Sequence, residues 1–61
     1  MYKVRFVSKD FKIEHVESCK SYDEAVDRFI YYVRCALELN VNIRCVNIIN
    51  GKKSIKLFQN H

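Results

Sequence analysis

The chain has 61 residues, 49% of them hydrophobic and 30% charged, with a formal net charge of +4. These values exclude a disordered chain, and no apolar run reaches the roughly 20 residues that a bilayer span needs. A domain this small buries only about 60% of the surface its unfolded chain exposes, so a closed cavity for substrate and cofactor would leave little core.

Met1 leads straight into Tyr2-Lys3-Val4-Arg5-Phe6-Val7 with no signal-like apolar stretch, so the expectation is a complete cytoplasmic chain. It forms one small α+β domain over residues 1–61. Cys19, Cys35 and Cys45 are odd in number and imply reduced thiols. Lys, Ile, Asn, Tyr and Phe are frequent, while Gly occurs once and Pro is absent. That mix suits AT-rich codons, as in a phage, a mobile element or a low-GC bacterium.

Tyr2, Val4 and Phe6 alternate with Lys3 and Arg5 and predict a half-buried strand. Phe11 to Glu17 resumes the alternation. A two-residue Lys9-Asp10 turn would set Phe6 opposite Ile13 and Arg5 opposite Glu14, matching apolar with apolar and base with acid. Ser21-Tyr22-Asp23-Glu24 reads as a capping box, with acids at the positive end of the helix dipole. The helix is expected over residues 22–39, closed by Asn40 in a left-handed conformation. Tyr22, Ala25, Val26, Phe29, Ile30, Val33, Ala36 and Leu37 should form its buried stripe.

Beyond Val41, alternation returns through Ile43 to Ile49. Asn50-Gly51 then separates it from a run ending at Phe58, which predicts a tight hairpin. Pairing outward from that turn sets Ile49 against Lys52, Val46 against Ile55 and Arg44 against Leu57. Val46, Ile48, Ile55 and Leu57 would face the core. Ile43, Cys45, Asn47, Lys52, Ser54, Lys56 and Phe58 would face away from it. The elements give β-β-α-β-β, a four-stranded antiparallel sheet with one helix packed on one face and strand order 2-1-3-4.

Gly51-Lys52-Lys53-Ser54 resembles a phosphate-binding loop only at a glance. That motif needs a glycine where Val46 stands, its hydroxyl directly after one lysine, and a helix rather than a strand to follow. Metal binding would draw on His15, Cys19, Cys35, Cys45 and His61, whose spacing lacks the close cysteine pairs of zinc sites. Cys19 ahead of a helix and His15 nearby make a thin nucleophile pair, with no third group to orient the histidine. No metal, cofactor or catalytic residue is therefore expected, and the protein reads as a non-enzyme.

Charge is more informative. The helix carries Asp23, Glu24, Asp27 and Glu38 against Arg28 and Arg34, so the basic surplus lies on strands and loops. Lys3, Arg5, Lys12, Lys52 and Lys56, with Lys53 at the tip, are expected on the open sheet face with Phe58. Edge lysines also serve solubility. Tyr31, opposite the buried stripe, is a candidate contact residue.

The expected partner is an acidic macromolecule, with protein ahead of nucleic acid, because the open face lacks the aromatics that stack bases. Self-association through that face is a further route. The expected role is a small non-enzymatic interaction protein, with a phage- or element-encoded modulator of a host enzyme as a special case. The alternative is a nucleic-acid binder acting through phosphates.

Overall fold

Four strands and one helix form in the expected order. The computed structural model describes residues 1–60 and contains β1 (Tyr2–Val7), β2 (Glu14–Cys19), α1 (Tyr22–Glu38), β3 (Cys45–Asn50) and β4 (Lys53–Gln59). The sheet is antiparallel throughout with order β2-β1-β3-β4, and α1 covers one face over β1 and β3, reaching β2. Val4, Val46 and Ile48 on the sheet, with Ile43 beside them, are the fully buried aliphatics. Ala25, Phe29, Tyr32 and Ala36 meet them from the helix.

Helix α1 begins as its sequence dictates. The Ser21 hydroxyl accepts the Glu24 N–H at 3.2 Å. The Glu24 carboxylate reaches one residue further back than a capping box requires and accepts the Lys20 N–H at 3.1 Å. At the other end Leu39 is the cap and Asn40 takes φ 54°, the left-handed conformation expected of it. The buried stripe is narrower than expected and turned toward β2. Tyr32 is 9% exposed, whereas Tyr22, Ile30 and Leu37 are 42%, 48% and 62% exposed. A sheet this small offers one helix a contact only about two strands wide, so the flanks of the stripe stay in water.

Both hairpins form in registers other than the expected ones. In the first, Phe6 lies opposite His15 and Arg5 opposite Val16. The cause is Ser8, which is buried. Its N–H donates to the Ile13 carbonyl at 2.9 Å, and its hydroxyl accepts the Ile13 N–H at 3.0 Å. Asp10 accepts from the Ser8 hydroxyl and, at 3.1 Å, from the Lys12 N–H. These bonds widen the turn to residues 9–12, with Phe11 at φ 61°, and move every later pairing by two residues. Arg5 still reaches Glu14, diagonally, at 2.7 Å.

In the second hairpin Asn50 pairs with Lys53, so Gly51-Lys52 forms the turn, with Gly51 at φ +64°. Ile49 lies opposite Ser54. A bulge follows: Ile48 pairs with Lys56, Asn47 with Leu57 and Val46 with Phe58, which leaves Ile55 without a partner. One inserted residue exchanges the two faces of everything beyond it. Leu57 thus lies on the open face, while Phe58 packs against the core and the Lys56 ammonium sits 5.9 Å from the Phe29 ring centre. The exchange places the larger ring inward. Ile43, expected on the open face, is buried at 1% exposure; its N–H donates to the Val41 carbonyl at 2.8 Å in a tight turn that folds it under the helix end.

Candidate functional site

The registers set where each candidate side chain stands. Tyr2 pairs with Asn50 and Val7 with Cys45, so the β3–β4 turn lies at one end of the sheet and loop 8–13 at the other. Lys3, Lys52 and Lys53 collect at the turn end, and Lys56 stands nearby on the helix side of β4. Lys12 lies in the loop at the far end, roughly 15 Å away along the strands. Arg5 occupies the middle of the open face and is held by Glu14 at 2.7 Å. Phe58 packs toward the core, and Tyr31 is on the outer side of α1. The candidates therefore do not make one basic face; they make a basic hairpin end and scattered others.

Three of the chain's arginines are internally neutralised. Arg5 pairs with Glu14, Arg28 with Glu17 at 3.2 Å, and Arg34 with Glu38 at 3.2 Å. The Arg5 contact holds the Glu14 carboxyl below the usual glutamate range. Among the described residues, Lys3, Lys52, Lys53 and Lys56 have no carboxylate partner. Lys9, Lys12, Lys20 and Arg44 are likewise without a carboxylate partner among the described residues, so the hairpin end gathers four of the eight unpaired cationic side chains.

The flank between β2 and α1 holds a polar cluster whose members the sequence pattern did not single out together. The Tyr32 hydroxyl donates to Glu17 at 2.7 Å and accepts from Arg28 at 3.0 Å, while Arg28 also donates to Glu17. His15 lies 4.0 Å from the same carboxylate. Hydrogen bonding from Tyr32, then Arg28, lowers the Glu17 pKa, while burial first and Glu17 second raise that of the Tyr32 phenol. The Arg28 guanidinium also lies over the rings of Tyr31 and Tyr32, at 4.7 and 5.1 Å. The sequence signal was an i, i+4 pair, Arg28 and Tyr32, facing a strand glutamate.

Two shallow concavities complete the surface. One, of about 440 Å³, runs along α1 beside Ile30, Tyr31, Cys35 and Leu39, with Asp27, Arg34 and Glu38 at its rim. The other, about 180 Å³, lies between Phe11, Arg44 and Gln59 at the loop end, where the Arg44 guanidinium stands 5.0 Å from the Phe11 ring centre. Phe11 is 67% exposed with positive φ, an unusual position for a large side chain, and its alternating sequence context gave no warning of it.

No family model, curated protein or solved structure matches this chain. Chemistry at the surface is the remaining guide.

Among the described residues no three of His, Cys, Asp and Glu gather as a metal site would require, and His61 lies outside them. Cys19 is buried, and desolvation first, then the charges of Glu24 and Glu17, push its thiol pKa up, away from a reactive thiolate. His15 lies four residues away on the same strand, roughly 13 Å along it. Cys35 and Cys45 are half-buried free thiols. Among the described residues no helix is long and apolar enough to cross a membrane. The arrangement can present fixed charge and exposed apolar side chains to a partner.

Proposed function

We propose that the protein is a small non-enzymatic interaction module that docks on an acidic surface of a protein partner through the end of its β3–β4 hairpin. Lys52 and Lys53 at the turn, with Lys3 and Lys56 beside them, form the contact. The observation that carries this reading is the contrast in pairing: Arg5, Arg28 and Arg34 are spent on internal carboxylates, while these lysines are not. Unpaired ammonium groups on a hairpin end raise the encounter rate with a negative surface, and at an exposed rim they can keep most of their hydration while doing so. Protein is favoured over nucleic acid because Phe6 and Phe58 turn to the core side and the Tyr2–Tyr22 pair at this end lies on the helix side, so the open face beside Lys3 has no aromatic platform for bases. The AT-codon-rich residue mix fits a phage- or element-encoded modulator of a host enzyme as a special case of this role.

The test is affinity capture from host lysate with the wild type and with Lys3→Glu/Lys52→Glu/Lys53→Glu, each with and without nuclease. Capture of a nuclease-resistant protein partner, lost in the variant while the circular-dichroism spectrum is kept, is the expected result. Undiminished capture by the variant refutes the docking site. Loss of all capture on nuclease treatment, together with a shift of short DNA or RNA whose affinity falls steeply with salt, transfers the role to phosphate binding.

A further inference from the structure

The two edges of the sheet are unequal. Edge strand β4 carries the devices that discourage pairing: Lys53 and Lys56 without carboxylate partners, and a bulge at Ile55 that breaks its line. Edge strand β2 runs regular over its whole length against β1, with no proline, no lysine and no bulge. Its two charges, Glu14 and Glu17, are already neutralised within the chain by Arg5 and Arg28. An edge whose gatekeeping charges are cancelled is open to another strand.

Backbone alternation says how it would pair. The Ser8 N–H donates to the Ile13 carbonyl, so the pair 8–13 is hydrogen-bonded, and by the antiparallel rule so are Phe6–His15, Val4–Glu17 and Tyr2–Cys19. The N–H and C=O groups of Glu14, Val16 and Ser18 therefore point away from the sheet. A second β2 bonding to these three residues in antiparallel sense has few registers. Centring the dyad on His15 stacks two imidazoles, and centring it on Glu17 opposes two carboxylates. Centring it on Val16 bonds Val16 to Val16 and Glu14 to Ser18, and sets His15 across from Glu17 in the closer, non-bonded pairs.

The geometry points to a second copy of this chain as the partner of β2: two protomers pair their β2 strands antiparallel about a dyad at Val16, forming one eight-stranded sheet with both helices on the same face. About six backbone hydrogen bonds close the junction. Val16, 46% exposed in the single chain, meets its twin on the open face. The contact is small beside those of obligate dimers, so it forms at high protein concentration. Because β2 lies at the sheet edge opposite β4, the dimer leaves both lysine hairpins free, and the proposal stands independently of the docking role above.

Sedimentation equilibrium from micromolar to millimolar concentration, paired with amide hydrogen exchange by NMR, tests it. The expected result is a monomer–dimer equilibrium in which the amides of Glu14, Val16 and Ser18 become slower to exchange as dimer accumulates. Val16→Lys, which places two ammonium groups at the dyad, should return the protein to monomer. Val16→Pro, which removes only an outward N–H, should do the same wherever it keeps the wild-type fold. Leu57→Lys, on the open face, should leave the dimer intact. A monomer at millimolar concentration overturns the proposal. So does a dimer whose three amides remain fast, which places the contact away from β2, or one lost in Leu57→Lys but not in Val16→Lys, which places it on the open face.

Discussion

Replacing Tyr32 with phenylalanine isolates one hydroxyl in the β2–α1 cluster. The ring is 9% exposed and touches Phe6, with centres 4.9 Å apart, and that packing survives the change. What disappears is a 2.7 Å bond to the Glu17 carboxylate and an acceptor for Arg28 at 3.0 Å. A hydrogen bond to a charged group contributes about 1.5–3 kcal/mol when buried. Glu17 keeps Arg28 at 3.2 Å and its side chain is 32% exposed, so water replaces part of the loss and about 1 kcal/mol is expected. With a urea dependence of about 1 kcal/mol per molar for so small a domain, the midpoint should fall by about 1 M at neutral pH.

The effect should depend on pH in a stated direction. The Glu17 pKa is lowered in the folded chain, by Tyr32 first among its causes. Its stabilisation is therefore complete above the ordinary glutamate value and is lost as pH falls through the lower, folded value. The gap between wild type and Tyr32→Phe should narrow over that acidic range. Equal midpoints at neutral pH would show that the hydroxyl contributes nothing, and a gap unchanged by acid would show that its contribution does not run through the Glu17 carboxylate.

Three other outcomes follow from local geometry. Ser21→Ala removes the acceptor of the Glu24 N–H and should cost about 1 kcal/mol, read as a lower urea midpoint and reduced helical ellipticity. Gly51→Ala meets no atom within 4 Å of its new methyl, so only its φ of +64° opposes it; a loss of about 1 kcal/mol is expected, and Gly51→Asn should lose less. Phe11→Asn relieves a large side chain held at φ 61° and gives up a surface contact with Arg44; with strain at about 1–2 kcal/mol and the contact at about 0.5–1, thermal stability should rise.

The element order, the helix ends and the strand order were legible because each rests on a local or topological rule: Ser21 ahead of Glu24, Asn40 at the helix exit, period-two runs on either side of Gly51. The registers were not. Ser8 and Asp10 look like an ordinary polar break, and only the bonds they make to Ile13 and Lys12 show that the turn spans four residues. The bulge at Ile55 leaves no mark in a run of Ser, Ile, Lys, Leu and Phe whose alternation fits either face. That single residue moved Lys56 and Phe58 from the open side to the helix side and dissolved the expected basic face. Tyr32 stayed hidden because the aliphatic Ile30, Val33 and Leu37 drew the expected stripe to the other flank of Phe29, while the Tyr32 hydroxyl finds its partner on another element, at Glu17.

The strand order also divides the chain in time. β1 with β2, and β3 with β4, are neighbours along the sequence, and each hairpin closes over a short loop. Only the β1–β3 seam joins distant segments, and it must carry α1 across to do so. The entropy of closing that large loop is met when Val4, Val46 and Ile48 come under Phe29, so the folding barrier is expected at this seam rather than at either turn. Truncations at Val4 and Ile48 should slow folding, while changes at Gly51 or Ser8 should mostly speed unfolding. The hairpin end that presents the lysines is thus the part of the molecule whose sequence can change with least effect on how fast the chain folds.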